Sequence, residues 1–126
     1  VKEERGHRWM RVWQNADRLE QVSLKIIAKI PRYNFKMKSQ IDRASNSIVA
    51  NFVEGYYSGS TLEYLRFPRY SKRSLGELQQ HFQSCLYRKY ISKTEFEELN
   101  TLSWRTMYLF DRLIKALNAK MNNNNP

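Results

Sequence analysis

The stretch SQIDRASNSIVANFVEG, Ser39 to Gly55, decides the fold of this chain. Wound at about 100° per residue, it places Ile41, Ala44, Ile48 and Phe52 on one face, with Ser45 and Val49 beside them. That face is a core face. Gln40, Arg43, Ser47, Asn51 and Glu54 recur at steps of three and four and share an arc of roughly 80°. Solvated helix faces are usually richer in Lys and Glu. A seam of amide, guanidinium, hydroxyl and carboxylate at the core's edge therefore predicts polar pairing with a neighbouring helix. Gly55 reads as the C-terminal cap.

Working outward, the same period appears three more times. A first helix is predicted from Arg8 to Ile30, with Val12, Ala16, Leu19, Ser23, Ile26 and Ile30 inward and Pro31 closing it. The second starts between Asn34 and Ser39 and ends at Glu54. After the turn Tyr57-Ser58-Gly59, a capping pattern from Ser60 to Glu63 opens a third helix, with Tyr64, Phe67, Ser71, Leu75, Leu78, Phe82 and Cys85 inward. Pro68 interrupts its hydrogen-bond ladder and implies a kink in a continuous helix. Ser92 and Glu95 open the fourth, with Phe96, Leu99, Ser103, Thr106, Phe110, Leu113 and Leu117 inward. Its first turns are acidic and its end carries Lys115 and Lys120, as the helix dipole favours. Short connections around Arg32, Ser58 and Ser92 leave no room for a long crossover. The expected fold is an all-α, up-down-up-down antiparallel four-helix bundle. Residues 1–121 are expected to form one domain and 122–126 an Asn-rich, frayed tail.

With 126 residues, four Gly and three Pro, the chain suits a single domain with few, short loops. One cysteine, Cys85, excludes an internal disulfide framework and fits a reducing cytoplasm. No apolar run approaches the roughly 20 residues that span a bilayer, so no membrane partner is expected. His81 stands four residues before Cys85, a spacing that could put two metal ligands on one face, but there is no second pair to complete a site. Glu54 as a general base is outweighed by its place in the seam. Phosphate-binding glycine loops and nucleophile elbows are absent. The expectation is a protein that is not an enzyme, with no cofactor and no metal.

Charge carries the functional expectation. Lys and Arg outnumber Asp and Glu by 22 to 12, a net charge of +10, which favours polyanionic partners. Arg66, Arg69 and Arg73 share a stripe on the third helix opposite its core face, flanked by Lys72. Arg11, Arg18, Lys25 and Lys29 form a second stripe on the first helix. Such rows neutralise successive phosphates of RNA or DNA without reading sequence. Trp13, Leu62, Leu65, Trp104 and Tyr108 project off the inward arcs, and that much apolar surface predicts self-association; the alternative, that the aromatics stack on unpaired bases, is the weaker expectation because they lie off the basic stripes. Folding the second and third helices about Ser58 brings Arg43 level with Arg73 to Glu77. Its guanidinium is therefore expected to pair with Glu77 or bond the Ser74 hydroxyl.

Val12-Trp13-Gln14 with Ala16 and Leu19, the run Ser39 to Gly55, then Glu63, Phe67, Ser74-Leu75, Glu77-Leu78 and Tyr90-Ile91 together carry a resemblance. They resemble the four-helix-bundle proteins encoded by intervening sequences of bacterial large-subunit ribosomal RNA genes. The chain is also similar in fold and basic character to the accessory proteins of diversity-generating retroelements. The first resemblance implies a ring-shaped homo-oligomer, often a pentamer, that would gather several copies of each basic stripe. The second implies an alternative, a partner of a reverse transcriptase and its nucleic acid. A scaffold whose charge serves only solubility is the remaining alternative.

Overall fold

The computed structural model describes residues 6–123. A short 3-10 helix, His7–Trp9, leads into four α-helices: α1 Arg11–Lys29, α2 Phe35–Tyr56, α3 Thr61–Tyr87 and α4 Lys93–Asn123. They pack in a closed antiparallel cycle, α1 on α2, α2 on α3, α3 on α4 and α4 on α1. This is the four-helix bundle that the sequence predicts. Its centre is built from Leu19, Ile41, Ile48, Phe52, Leu75, Leu78, Phe82, Leu99 and Phe110, all essentially without solvent contact. Phe52 meets Phe110 edge-on, with ring centroids 6.2 Å apart.

Helix ends follow local chemistry. Met10 is extended, so α1 begins at Arg11 rather than Arg8, and Ile30 is extended ahead of Pro31. The Asn34 side chain accepts from Met37 N at the start of α2 and donates to Tyr90 Oη, 3.0 Å away. Ser60 Oγ accepts from Glu63 N at 3.1 Å. Ser92 and Glu95 form a complete capping box, with bonds of 2.8 and 3.1 Å. After α3 the chain reverses through Lys89, which takes a left-handed φ of 63°, and Tyr90 N bonds back to Cys85 O. Helix α4 runs two residues into the expected tail, and 124–126 lie outside the described residues.

Two expectations are corrected here. Gly55 does not cap α2, which continues to Tyr56, and the left-handed position of the turn is Gly59, φ 94°. Gly55 is buried instead against α3: a Cβ there would lie 2.7 Å from Phe67 Cβ and 3.2 Å from the Tyr64 carbonyl oxygen. Helix α3 passes through Pro68 unbroken, and its buried face is Leu65, Pro68, Ser71, Leu75, Leu78, Phe82 and Cys85. Tyr64 and Phe67, expected inside, are only half-buried, and Leu65, expected on the surface, is 7% exposed. The pyrrolidine ring is an apolar filler, and in the first two turns the inward stripe runs one residue later than expected, through Leu65 and Pro68.

Candidate nucleic-acid interface

The polar seam of α2 forms in part. Ser47 Oγ and Ser74 Oγ are 2.9 Å apart, Asn51 Nδ2 donates to Ser47 O and Oγ, and Ser71 Oγ donates to Ile48 O across the α2–α3 contact. The register is the expected one. Arg43 nevertheless points to solvent and makes neither the Glu77 nor the Ser74 contact, and Glu54 is exposed as well. Glu77 sits instead 3.5 Å from His81 Nε2 on its own helix. Gln40 is half-buried and borders a shallow recess with Tyr33, Asn34 and Arg88. Arg43→Ala is therefore a surface change that strands no buried carboxylate.

On α3, Arg66, Arg69 and Arg73 are all exposed on one side. Arg66 bonds Glu63 one turn earlier, at 3.2 Å, in a solvated pair. The Arg73 guanidinium lies over the Tyr70 ring, 5.7 Å from its centroid. Arg69 makes no ion pair or hydrogen bond among the described residues. Lys72 leans toward α4 and pairs with Asp111. Three guanidinium groups thus remain presented along one helix side, where a solvated carboxylate partner competes weakly with an incoming phosphate.

The α1 row is less free than its spacing suggests. Arg11, Arg18, Lys25 and Lys29 are exposed, but the last three border an open groove of about 780 Å³ between α1 and α4. Its other wall carries Glu95, Glu97 and Glu98, and Lys29 pairs with Glu95. The acidic opening of α4, favourable to its own dipole, offsets this row.

Of the side chains expected to hold copies together, Leu62, Trp104 and Tyr108 are 57–58% exposed. Trp13 is half-buried against the core, edge-on to His7, and Leu65 is inside. Leu65 is removed from the candidate interface, and Trp13 has only part of its surface to offer it. The sequence reading also missed residues around Trp104 and Tyr108. Arg112 bonds Tyr108 Oη at 3.3 Å and covers its ring at 5.9 Å, and Arg105 stands beside them. The spacing Trp104, Tyr108, Arg112 is a plain four-residue helical step that could have shown this.

A family model described as 23S rRNA-intervening sequence protein matches residues 8–110. The chain belongs to that family. No curated protein matches it significantly. In this member of the intervening-sequence family, the matched span takes in α1 to α3 and the first half of α4, including every basic residue of the two rows. The description names an intervening sequence of 23S rRNA, not a ligand or a reaction. Among the described residues no helix is long and apolar enough to cross a membrane, and no group of three or more His, Cys, Asp or Glu could hold a metal.

Proposed function

We propose that this protein is a non-catalytic, oligomeric four-helix bundle that binds RNA through its phosphates, with the outer side of α3 as the main contact. One observation carries the reading: Arg66, Arg69 and Arg73 stand exposed along a single helix side in a chain of net charge +10. Arginine's planar fork suits phosphate oxygens. The thiol that would have suggested chemistry is packed away. Burial pushes the Cys85 thiol up to about 11, so at neutral pH it is a core thiol and not a thiolate. Self-association belongs to the same reading and is supported by the large apolar side chains left exposed, Leu62 among them.

The test replaces Arg66, Arg69 and Arg73 together with Gln, which preserves helix propensity and leaves the core untouched. Binding to one unstructured RNA is measured at several salt concentrations for this variant and the wild type. The expected outcome is weaker binding and a flatter salt dependence, by about 0.7 in log–log slope for each phosphate of a single strand that is no longer neutralised. Unchanged affinity and slope would remove α3 from the interface. No wild-type binding even at low salt would favour the scaffold reading. Partnership with a reverse transcriptase rests on resemblance alone, and a reverse-transcriptase gene and template repeat beside this gene would be its evidence.

A further inference from the structure

Helix α4 presents a second kind of surface. Trp104, Tyr108, Asp111 and Lys115 follow one another at steps of four, three and four, so they form one outward row, and Arg105 and Arg112 run parallel to it seven residues apart. Trp104 and Tyr108 are each 57% exposed. The Asp111 carboxylate is taken up by Lys72 of α3, and among the described residues Arg105, Arg112 and Lys115 make no ion pair, although Arg105 also borders the groove lined by Glu97 and Glu98. The two rings thus have basic side chains beside them, and the Arg112 guanidinium lies 5.9 Å from the centroid of the Tyr108 ring.

The neighbouring side of α3 has a gap at Gly76. The Lys72–Asp111 and Gln79–Ser103 contacts fix the register of the two helices and bring Gly76 opposite Thr106 and Met107, within two residues of Tyr108. Gly76 is exposed in the middle of a 27-residue helix, and a Cβ there would meet nothing within 4 Å. Packing within the chain gives no reason for a glycine that weakens the helix by about 1 kcal/mol relative to alanine. A flat place beside Tyr108 suits the close approach of a planar ligand.

We infer that the outer face of α4 is a stacking platform for unpaired RNA bases, with Trp104 and Tyr108 under successive bases and Arg105, Arg112 and Lys115 on the phosphates beside them. The platform rests on the RNA-binding reading and adds strandedness to it. One helical step of four residues separates the rings by about 6 Å along the axis, more than the roughly 3.4 Å thickness of a stacked base, so each ring can take its own base. Duplex RNA keeps its bases stacked on one another and offers them no face. Charge complementarity selects this occupant over an apolar protein surface, because a partner helix covering Trp104 would have to desolvate Arg105 and Arg112 as well.

The experiment compares a labelled, unstructured 20-nucleotide RNA with a duplex RNA of the same length, for the wild type, Trp104→Leu with Tyr108→Leu, and Trp104→Phe. Wild type should prefer the single strand. The double variant should lose at least fivefold for each ring removed on the single strand, with duplex binding and salt slope unchanged because no charge is altered. Trp104→Phe keeps a ring, so it should retain most of the affinity and confirms that a loss in the double variant is a loss of stacking rather than of fold. Equal binding by wild type and double variant, with the salt slope intact, overturns the platform while leaving the phosphate contacts of α3 standing. Absence of all RNA binding would remove both. A double variant that turns an oligomer into a monomer by light scattering without RNA would show that the face joins copies of the chain, and would overturn the platform too.

Discussion

Tyr64 shows how one side chain can set part of the molecule's response to pH. Its hydroxyl is buried and has no hydrogen-bond partner among the described residues. Burial, with a smaller contribution from Tyr56, pushes its ionisation from the ordinary 10.0 up to about 12. The neutral phenol is the form favoured by folding, so its contribution is complete below pH 10 and is lost as pH rises from 10 to 12. Cys85 follows the same sign between 9 and about 11. Tyr64→Phe removes both the unpartnered hydroxyl and its titration. It should raise stability at pH 7 by about 1 kcal/mol and flatten the alkaline decline above pH 10. Thermal melts of the two proteins at pH 7 and at steps from 9 to 12 measure both effects. An unchanged decline above pH 10 would assign it to other groups.

Between elements, the decisive contact is where the end of α2 crosses the start of α3. Proline at position 68 has no N–H to offer the Tyr64 carbonyl one turn before it, and that same carbonyl lies against Gly55. The interrupted ladder of one helix and the missing side chain of the other therefore meet at one place. Alanine at Gly55 would gain about 1 kcal/mol of helix propensity, but its Cβ would press on Phe67 Cβ and on backbone, which cannot swing away. The net expectation is a loss of about 1–3 kcal/mol. Alanine at Gly76, facing open space, should gain up to about 1 kcal/mol. The same substitution should thus change sign within one fold, and urea unfolding of the two variants reads it. A neutral Gly55→Ala would mean that α3 simply shifts. Periodicity made the helices and the Ser60 and Ser92 caps legible, because each depends on spacing along a single helix, and the short turn about Ser58 carried that spacing over into the α2–α3 register. Rotation at the margin was not. Taking Ser47 as reference, Gln40 and Asn51 turn about 20° and 40° toward the core, while Glu54 and Arg43 turn the same amounts away. A narrow seam thus straddles the boundary, and its two charged members fall on the solvent side.

For the molecule as a whole, basic surface and apolar surface had to be sorted among the off-core residues, and only packing sorts them. Leu62 and Leu65 are three residues apart on α3, and the sequence pattern places both outside. In the bundle Leu62 is 58% exposed and Leu65 is 7% exposed, since Leu65 lies one turn before Pro68 on the buried side of the helix. Leu62 also lies at the opening of α3, at the opposite end of the α3–α4 contact from Trp104, which leaves it free for contacts between copies. The two leucines should answer differently to the same charge. Leu65→Lys puts an unpaired ammonium into the core and should cost more than about 3 kcal/mol, seen as a collapsed thermal transition. Leu62→Lys should leave the melting of the fold within about 0.5 kcal/mol of the wild type, yet shift the assembly toward monomer, since a desolvated charge at an interface core is costly. Circular dichroism measures the first effect and light scattering at tens of micromolar the second. A wild type that is monomeric at that concentration rules out the assembly. An assembled Leu62→Lys variant moves the contact to other exposed apolar residues.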